Sequence, residues 1–296
     1  MKKQLLIVLS AMFLIVLSAC GQSSTGEEET NNTDQKEKET IVLGETSWTS
    51  TKLPNQIMKK ILEEAGYNVN IKQVSQPLIF KGMQKQEIDV FMDAWLPYTE
   101  AELWSKYKED VQKVTASYKE VPLGWVVPSY VEESSIAELK GKAEKFEERV
   151  VTIAAGAGIV DISKDVIKDY SLDGYDLVTS GEATMIATLE DSIEDKEPVI
   201  ITGWRPHSMF AKNDLKFLED PKGNFKKDNV YVLSYKGLEK DHPEAFKVLS
   251  DWSIKVSELE EMMLAYEQND VSFEESAEKW IEEHRDQVDK MLNTEN

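Results

Sequence analysis

Two stretches of this chain put a tryptophan and a proline directly behind an apolar run: D-V-F-M-D-A-W-L-P-Y-T, Asp89 to Thr99, and P-V-I-I-T-G-W-R-P-H-S, Pro198 to Ser208. A third tryptophan, Trp48, follows a similar run near the start of the globular part. Indole faces attract cations through the ring quadrupole, by about 2 kcal/mol or more each when desolvated. A cage of Trp48, Trp95 and Trp204 suits a quaternary ammonium, which has no N–H to donate and packs its methyl groups flat on rings. A primary amine, polyamine or amino acid would need acids for its protons, and Asp93, two residues before Trp95, is the residue to supply one. Pro97 and Pro206 fix the backbone just after Trp95 and Trp204 and lower the cost of ordering such a cage.

A fourth element complements the three tryptophans. The stretch G-A-G-I-V-D, Gly156 to Asp161, puts glycines where a helix begins. Free N–H groups at a helix N-terminus hold anions, so Gly158 and Ile159 are candidates for a carboxylate. Cage and amides together describe a zwitterion, trimethylammonium at one end and carboxylate at the other. The tryptophans Trp104, Trp252 and Trp280 lie in helical patterns with apolar neighbours and read as packing residues. Trp125, in an extended segment between the two halves, is a candidate for the border of the site.

These residues need a scaffold that brings them together. From Ile41 the pattern reads strand, helix (53–65), strand, helix (77–86), strand, and then W-L-P. From Val150 it reads strand, helix (161–170), strand, helix (182–193), strand, and then W-R-P. Two β-α-β-α-β units predict parallel sheets with helices on their faces, an α/β class. Trp48 lies 47 residues before Trp95, and Ala157 lies 47 before Trp204, so the Trp48 loop and the glycine loop occupy equivalent places. Extended apolar segments, Pro122–Val131 and Asn229–Leu238, flank the second unit and predict two crossings between lobes. Residues 40–124 with 230–296 are expected to form lobe 1 and residues 125–229 lobe 2, with the C-terminal helices packed back on lobe 1. Ligands of open α/β sheets bind beyond the carboxyl ends of the strands, where these motifs fall.

The rest of the chain bounds the setting. Residues 1–19 have two lysines, an apolar run and L-S-A before Cys20, the pattern of a secretory signal peptide. L-S-A-C resembles a bacterial lipobox, so Cys20 is the expected lipidation site, and residues 20–39 an unstructured tether. Cys20 is the only cysteine among the 296 residues, which excludes an internal disulfide and a multi-cysteine metal site. A formal charge of −21 argues against nucleic acid as a partner. The mature chain has no G-x-S-x-G, H-E-x-x-H or G-x-x-x-x-G-K motif, and His242 and His284 lie in the C-terminal helical region. No enzyme chemistry, cofactor or metal is expected. A non-catalytic surface protein would explain the anchor but not the paired W-x-P turns.

The stretches D-A-W-L-P-x-T, G-x-G-I, G-W-V-V-P-S-Y-V and P-V-I-I-T-G-W-R-P-H-S resemble the glycine betaine-binding lipoproteins of ABC importers, over essentially the whole mature domain. The resemblance implies a two-lobed periplasmic-binding-protein fold (type II) that closes over its ligand at the outer face of the membrane. It also implies a monomer that delivers a solute such as glycine betaine, proline betaine, carnitine or choline to a membrane permease and its ATPase. By that resemblance Trp48, Trp95 and Trp204 form the cage, and Gly158 and Ile159 bind the carboxylate. Betaine binders of this kind carry a histidine five positions after the tryptophan of A-W-L-P-x-T, where this chain has Glu100. Since a carboxylate cannot donate to a carboxylate, either Glu100 points to solvent or the ligand is closer to choline. Thr49 and Ser50 stand where family members often have an acid. His207 reads as a structural hydrogen-bonder.

Overall fold

The computed structural model describes residues 39–293; the expected signal peptide, Cys20 and nearly all of the tether lie outside them. The first unit runs β1 (Thr40–Glu45), α1 (Thr49–Glu64), β2 (Asn68–Gln73), α2 (Gln76–Gln84), β3 (Val90–Leu96), α3 (Ala101–Tyr107) and β4 (Val111–Val121). After Pro122 the chain enters a second sheet with β5 (Leu123–Pro128), β6 (Arg149–Thr152), α4 (Gly158–Asp169), β7 (Asp176–Thr179), α5 (Glu182–Asp195), β8 (Ile201–Trp204), α6 (Met209–Lys212) and β9 (Leu215–Phe217). It returns through β10 (Asp228–Tyr235) and ends in α7 (Leu238–Asp241), α8 (Pro243–Ser250), α9 (Val256–Asn269), α10 (Phe273–Glu283) and α11 (Arg285–Leu292).

The sheets have the same plan. Their orders are β2-β1-β3-β10-β4 and β7-β6-β8-β5-β9. In each, three parallel strands joined by helices form one side, and two antiparallel strands complete it. The strand beside the third parallel strand is in both cases one that has just crossed, β10 against β3 and β5 against β8. This is the α/β, two-lobed architecture expected from the alternation of elements. The closing helices pack on the first unit, α8 against β4 and α9 and α10 against α1.

The local repeat is visible in the backbone. Trp48 and Ala157 are the N-cap residues of α1 and α4, both extended, at φ −80°, ψ 145° and φ −78°, ψ 139°. The Leu96–Pro97 and Arg205–Pro206 peptides are both cis. Three boundaries differ from the sequence reading, with consequences for the site. α1 begins at Thr49, four residues before the expected start at 53, so Trp48 is its N-cap. α4 begins at Gly158, three residues before Asp161, so Gly158 and Ile159 are its first two residues. β8 is Ile201–Trp204, displaced from Pro198–Ile201, because Trp204 pairs with Leu123 and extends the ladder. Trp95 likewise lies within β3. Both tryptophans are therefore strand residues whose direction is set by the sheet.

A single apolar cluster runs from the first sheet through the three tryptophans to Ile153, Ile159 and Met185 of the second unit. A separate cluster includes Phe146, Val150, Val166 and Ile200. Trp252 and Trp280 pack together at a ring distance of 5.5 Å, and the Trp252 indole N–H donates to Ser117 Oγ at 3.0 Å. Among the described residues no helix is long and apolar enough to cross a membrane.

Candidate functional site

A cavity lies between the two sheets, lined by Trp48, Trp95 and Trp204 together with Thr99, Glu100, Gly158 and Ile159. Trp48 and Trp204 face each other with ring centroids 6.5 Å apart at 59°. All three indoles are almost wholly buried. Their positions come from three different elements: the N-cap of α1, the end of β3 and the end of β8.

Two of the indoles, those of Trp95 and Trp204, are braced from behind. Alternate strand residues share a face, so Asp93 lies on the same side of β3 as Trp95. Trp95 Nε1 donates to Asp93 Oδ1 at 3.0 Å, while Ser50 and Thr51 hydroxyls donate to Asp93 Oδ2 at 3.0 and 2.8 Å. Asp93 thus has its acceptors occupied and does not line the cavity; it holds the indole that does. Burial raises its pKa, and the three donors oppose that rise. Ser50 lines the cavity as well as serving Asp93.

His207 is buried and sits edge-on to Trp204, with centroids 5.1 Å apart at 80°. Its Nδ1 accepts from Met209 N at 3.1 Å, which leaves the proton of a neutral ring on Nε2. Nε2 stands 3.1 Å from Glu182 Oε1 but off the line of a good hydrogen bond. Glu182 in turn accepts from Thr49 N at 3.0 Å and Thr49 Oγ1 at 2.7 Å. A carboxylate from the start of α5 therefore caps the N-terminus of α1, a favourable place for negative charge. Thr49 belongs to this tie between the units and is not a cavity residue.

Trp125 corrects one expectation. It is fully buried in the separate cluster, where its Nε1 donates to Ser163 Oγ at 3.0 Å, and it does not border the cavity. Neighbouring residues of β5 alternate in direction, so Leu123 and Trp125 share a side, but only Leu123 at the strand's start reaches the opening.

Gly158 meets the first unit by backbone contact. A Cβ on Gly158 would stand 2.1 Å from the carbonyl oxygen of Thr99, so only glycine lets the start of α4 approach the turn after Trp95 this closely. As the first two residues of a 12-residue helix, Gly158 and Ile159 have N–H groups with no intrahelical acceptor. The turn itself is clamped by the buried Asp228, which accepts from Tyr98 N and Thr99 N, both at 2.8 Å.

Glu100 points inward. It is 2% exposed and lines the cavity, which removes the alternative that it faces solvent. Its Oε1 accepts from Trp95 N at 3.0 Å and from Gln76 Nε2; its Oε2 is buried with no partner among the described residues. Burial pushes its pKa well above the usual carboxylate range, opposed by the Trp95 amide and reinforced by the negative charges of Asp93 and Asp228.

The structure therefore gathers Trp48, Trp95, Trp204, Ser50, Glu100, Gly158 and Ile159 around one cavity. It sets Asp93, Thr49 and His207 behind them and Trp125 elsewhere. Sequence reasoning missed Gln76, Asp228 and Glu182. Gln76 and Glu182 open helices and Asp228 opens the returning strand, places where a polar residue carries no distinguishing signal.

Comparison with known proteins identifies the family. Residues 39–283 match the family model for the substrate binding domain of ABC-type glycine betaine transport systems. The chain is 42% identical over 155 residues to the glycine betaine/carnitine transport binding protein GbuC of Listeria monocytogenes, a match covering 51% of each protein. The chain thus spans about half the length of that curated relative. Lactococcal OpuAC, solved closed and in complex with glycine betaine, superposes with a TM-score of 0.81 at 32% identity over 86% of this chain and 99% of that one. The glycine/betaine/L-proline-binding protein ProX of Borrelia burgdorferi gives 0.83 at 28% over the same shares. With its paired sheets, its tryptophan-lined cavity and a match over residues 39–283, the chain belongs to the substrate binding domains of ABC-type glycine betaine transport systems.

Proposed function

We propose that this chain captures glycine betaine, or a closely related quaternary ammonium solute, between its two lobes, and delivers it to a membrane permease driven by an ATPase. The observation that carries this reading is one cavity lined by two unlike sets of groups. Trp48, Trp95 and Trp204 offer faces to a trimethylammonium, and Gly158 and Ile159 offer amides to a carboxylate. The first three come from both units, so ligand binding and lobe closure are a single event. The protein works as a monomer held at the outer face of the cytoplasmic membrane by a lipid on Cys20.

Purified protein lacking residues 1–39 is expected to change its tryptophan fluorescence on titration with glycine betaine, proline betaine and carnitine. Trp95→Ala and Trp204→Ala each abolish the response. A wild-type protein silent to every quaternary ammonium compound yet responsive to a primary amine defeats the cage. Radiolabelled palmitate incorporated into the full chain and lost in Cys20→Ser tests the anchor. A second reading, choline as the preferred solute, draws on the buried carboxyl of Glu100 beside the cavity; tighter binding of choline than of glycine betaine at pH 7 would establish it.

A further inference from the structure

The unpartnered Oε2 belongs to Glu100, which lines the same cavity as Gly158 and Ile159 and follows Thr99, the residue whose carbonyl Gly158 approaches. A buried oxygen without a partner is costly, and a ligand atom is the natural group to complete it. If that oxygen were an anion, it would repel the carboxylate that the α4 amides attract. If it carries a proton, it becomes a donor available to the same acceptor. The contacts already made decide which oxygen holds the proton. Oε1 is occupied as an acceptor by Trp95 N and Gln76 Nε2, so the proton resides on Oε2.

We propose that Glu100 is a specificity-determining residue that binds as a neutral carboxylic acid, donating from Oε2 to the ligand's carboxylate beside the Gly158 and Ile159 amides. The proposal rests on the zwitterion reading given above. Its environment sustains the neutral form. The ionisable groups facing Glu100 are Asp93 from β3 and Asp228 from β10, both acidic and both buried, while the α2 contact is the neutral Gln76. No cationic group opposes them among those that shift Glu100, and burial and like charge both favour retention of the proton.

The consequence is a solute preference that depends on pH. A ligand carboxylate hydrogen-bonded to Oε2–H stabilises the protonated form, so binding is linked to that proton. Above the free protein's Glu100 pKa, affinity for glycine betaine falls by up to tenfold per pH unit. Choline has no carboxylate to be repelled, and its affinity holds or rises over the same range.

The test is isothermal titration of glycine betaine and of choline into wild type, Glu100→Gln and Glu100→Ala from pH 6 to 10, with infrared difference spectra of the wild type. The expected result is a betaine affinity that declines with pH in the wild type but not in Glu100→Gln, whose amide donates at every pH. Glu100→Ala should lose betaine affinity on the order of tenfold to a hundredfold while choline changes little. The wild-type spectrum should show a protonated carboxyl C=O band that shifts on betaine binding and is missing from Glu100→Gln. Parallel pH profiles in wild type and Glu100→Gln without such a band overturn the proposal and leave the betaine reading standing. The band present in a protein that binds no quaternary ammonium at any pH overturns that reading instead.

Discussion

Replacing Gly158 by alanine isolates the contact between α4 and the turn after Trp95. The added Cβ would stand 2.1 Å from Thr99 O, whereas ordinary contact begins near 3.4 Å, so one of the two backbones must withdraw by roughly 1.3 Å. Neither can do so cheaply within its own unit: Asp228 clamps the Thr99 turn, and α4 is anchored by buried Ile159, Val160, Ser163 and Val166. The displacement is therefore taken up between the units, as incomplete closure. Alanine suits the first turn of a helix and Gly158 does not have positive φ, so each unit keeps its own stability. A ligand carboxylate at the α4 amides then loses at least one charge-assisted hydrogen bond, about 2 kcal/mol or roughly 30-fold in affinity. Choline should weaken too, because the clash opposes closure for any ligand. Calorimetric titration measures the affinity and thermal unfolding checks the fold. A Gly158→Ala protein with unchanged Tm that binds glycine betaine within threefold of wild type would refute the reasoning.

Three further outcomes follow from the contacts described. Between the ordinary glutamate value of 4.5 and the raised value of Glu100, the folded state keeps a proton the unfolded state has released, so this residue makes stability fall as pH rises, by up to about 1.4 kcal/mol per unit; Glu100→Gln makes the decline shallower and leaves the share of Asp93, as urea unfolding at pH 5, 7 and 9 will show. Glu182→Ala strips the cap from Thr49 N and Oγ1. It should raise the betaine Kd on the order of tenfold, with a larger radius of gyration by X-ray scattering in the presence of ligand. Trp125→Phe removes the donor to the buried Ser163 hydroxyl and should cost about 1 to 3 kcal/mol in stability, read by denaturant unfolding, with no change in betaine Kd.

Much of the scaffold is legible in the chain because its signals are local. Apolar runs punctuated by helical periodicity at matching intervals suffice to read two β-α-β-α-β units, and the 47-residue register that aligns Trp48 with Ala157 reappears as two helix N-caps of equal conformation. The start of α4 and the position of β8 are less legible. Both depend on partners distant in sequence: Thr99 against Gly158, and Leu123 against Trp204.

The sequence by itself determined which groups were available: three tryptophans beside strand ends, a glycine-led helix and an acid five residues after Trp95. Composition, spacing and periodicity are properties of neighbours along the chain, so they carry that much. Tertiary structure decided what each group faces. Trp125 turned into a separate core, Asp93 became a brace, and Glu100 turned inward between Asp93, Asp228 and the Trp95 amide. Burial and electrostatic environment combine neighbours along the chain, such as Asp93 and Trp95, with residues more than a hundred positions away, as Asp228 is from Glu100, and no local pattern encodes that combination.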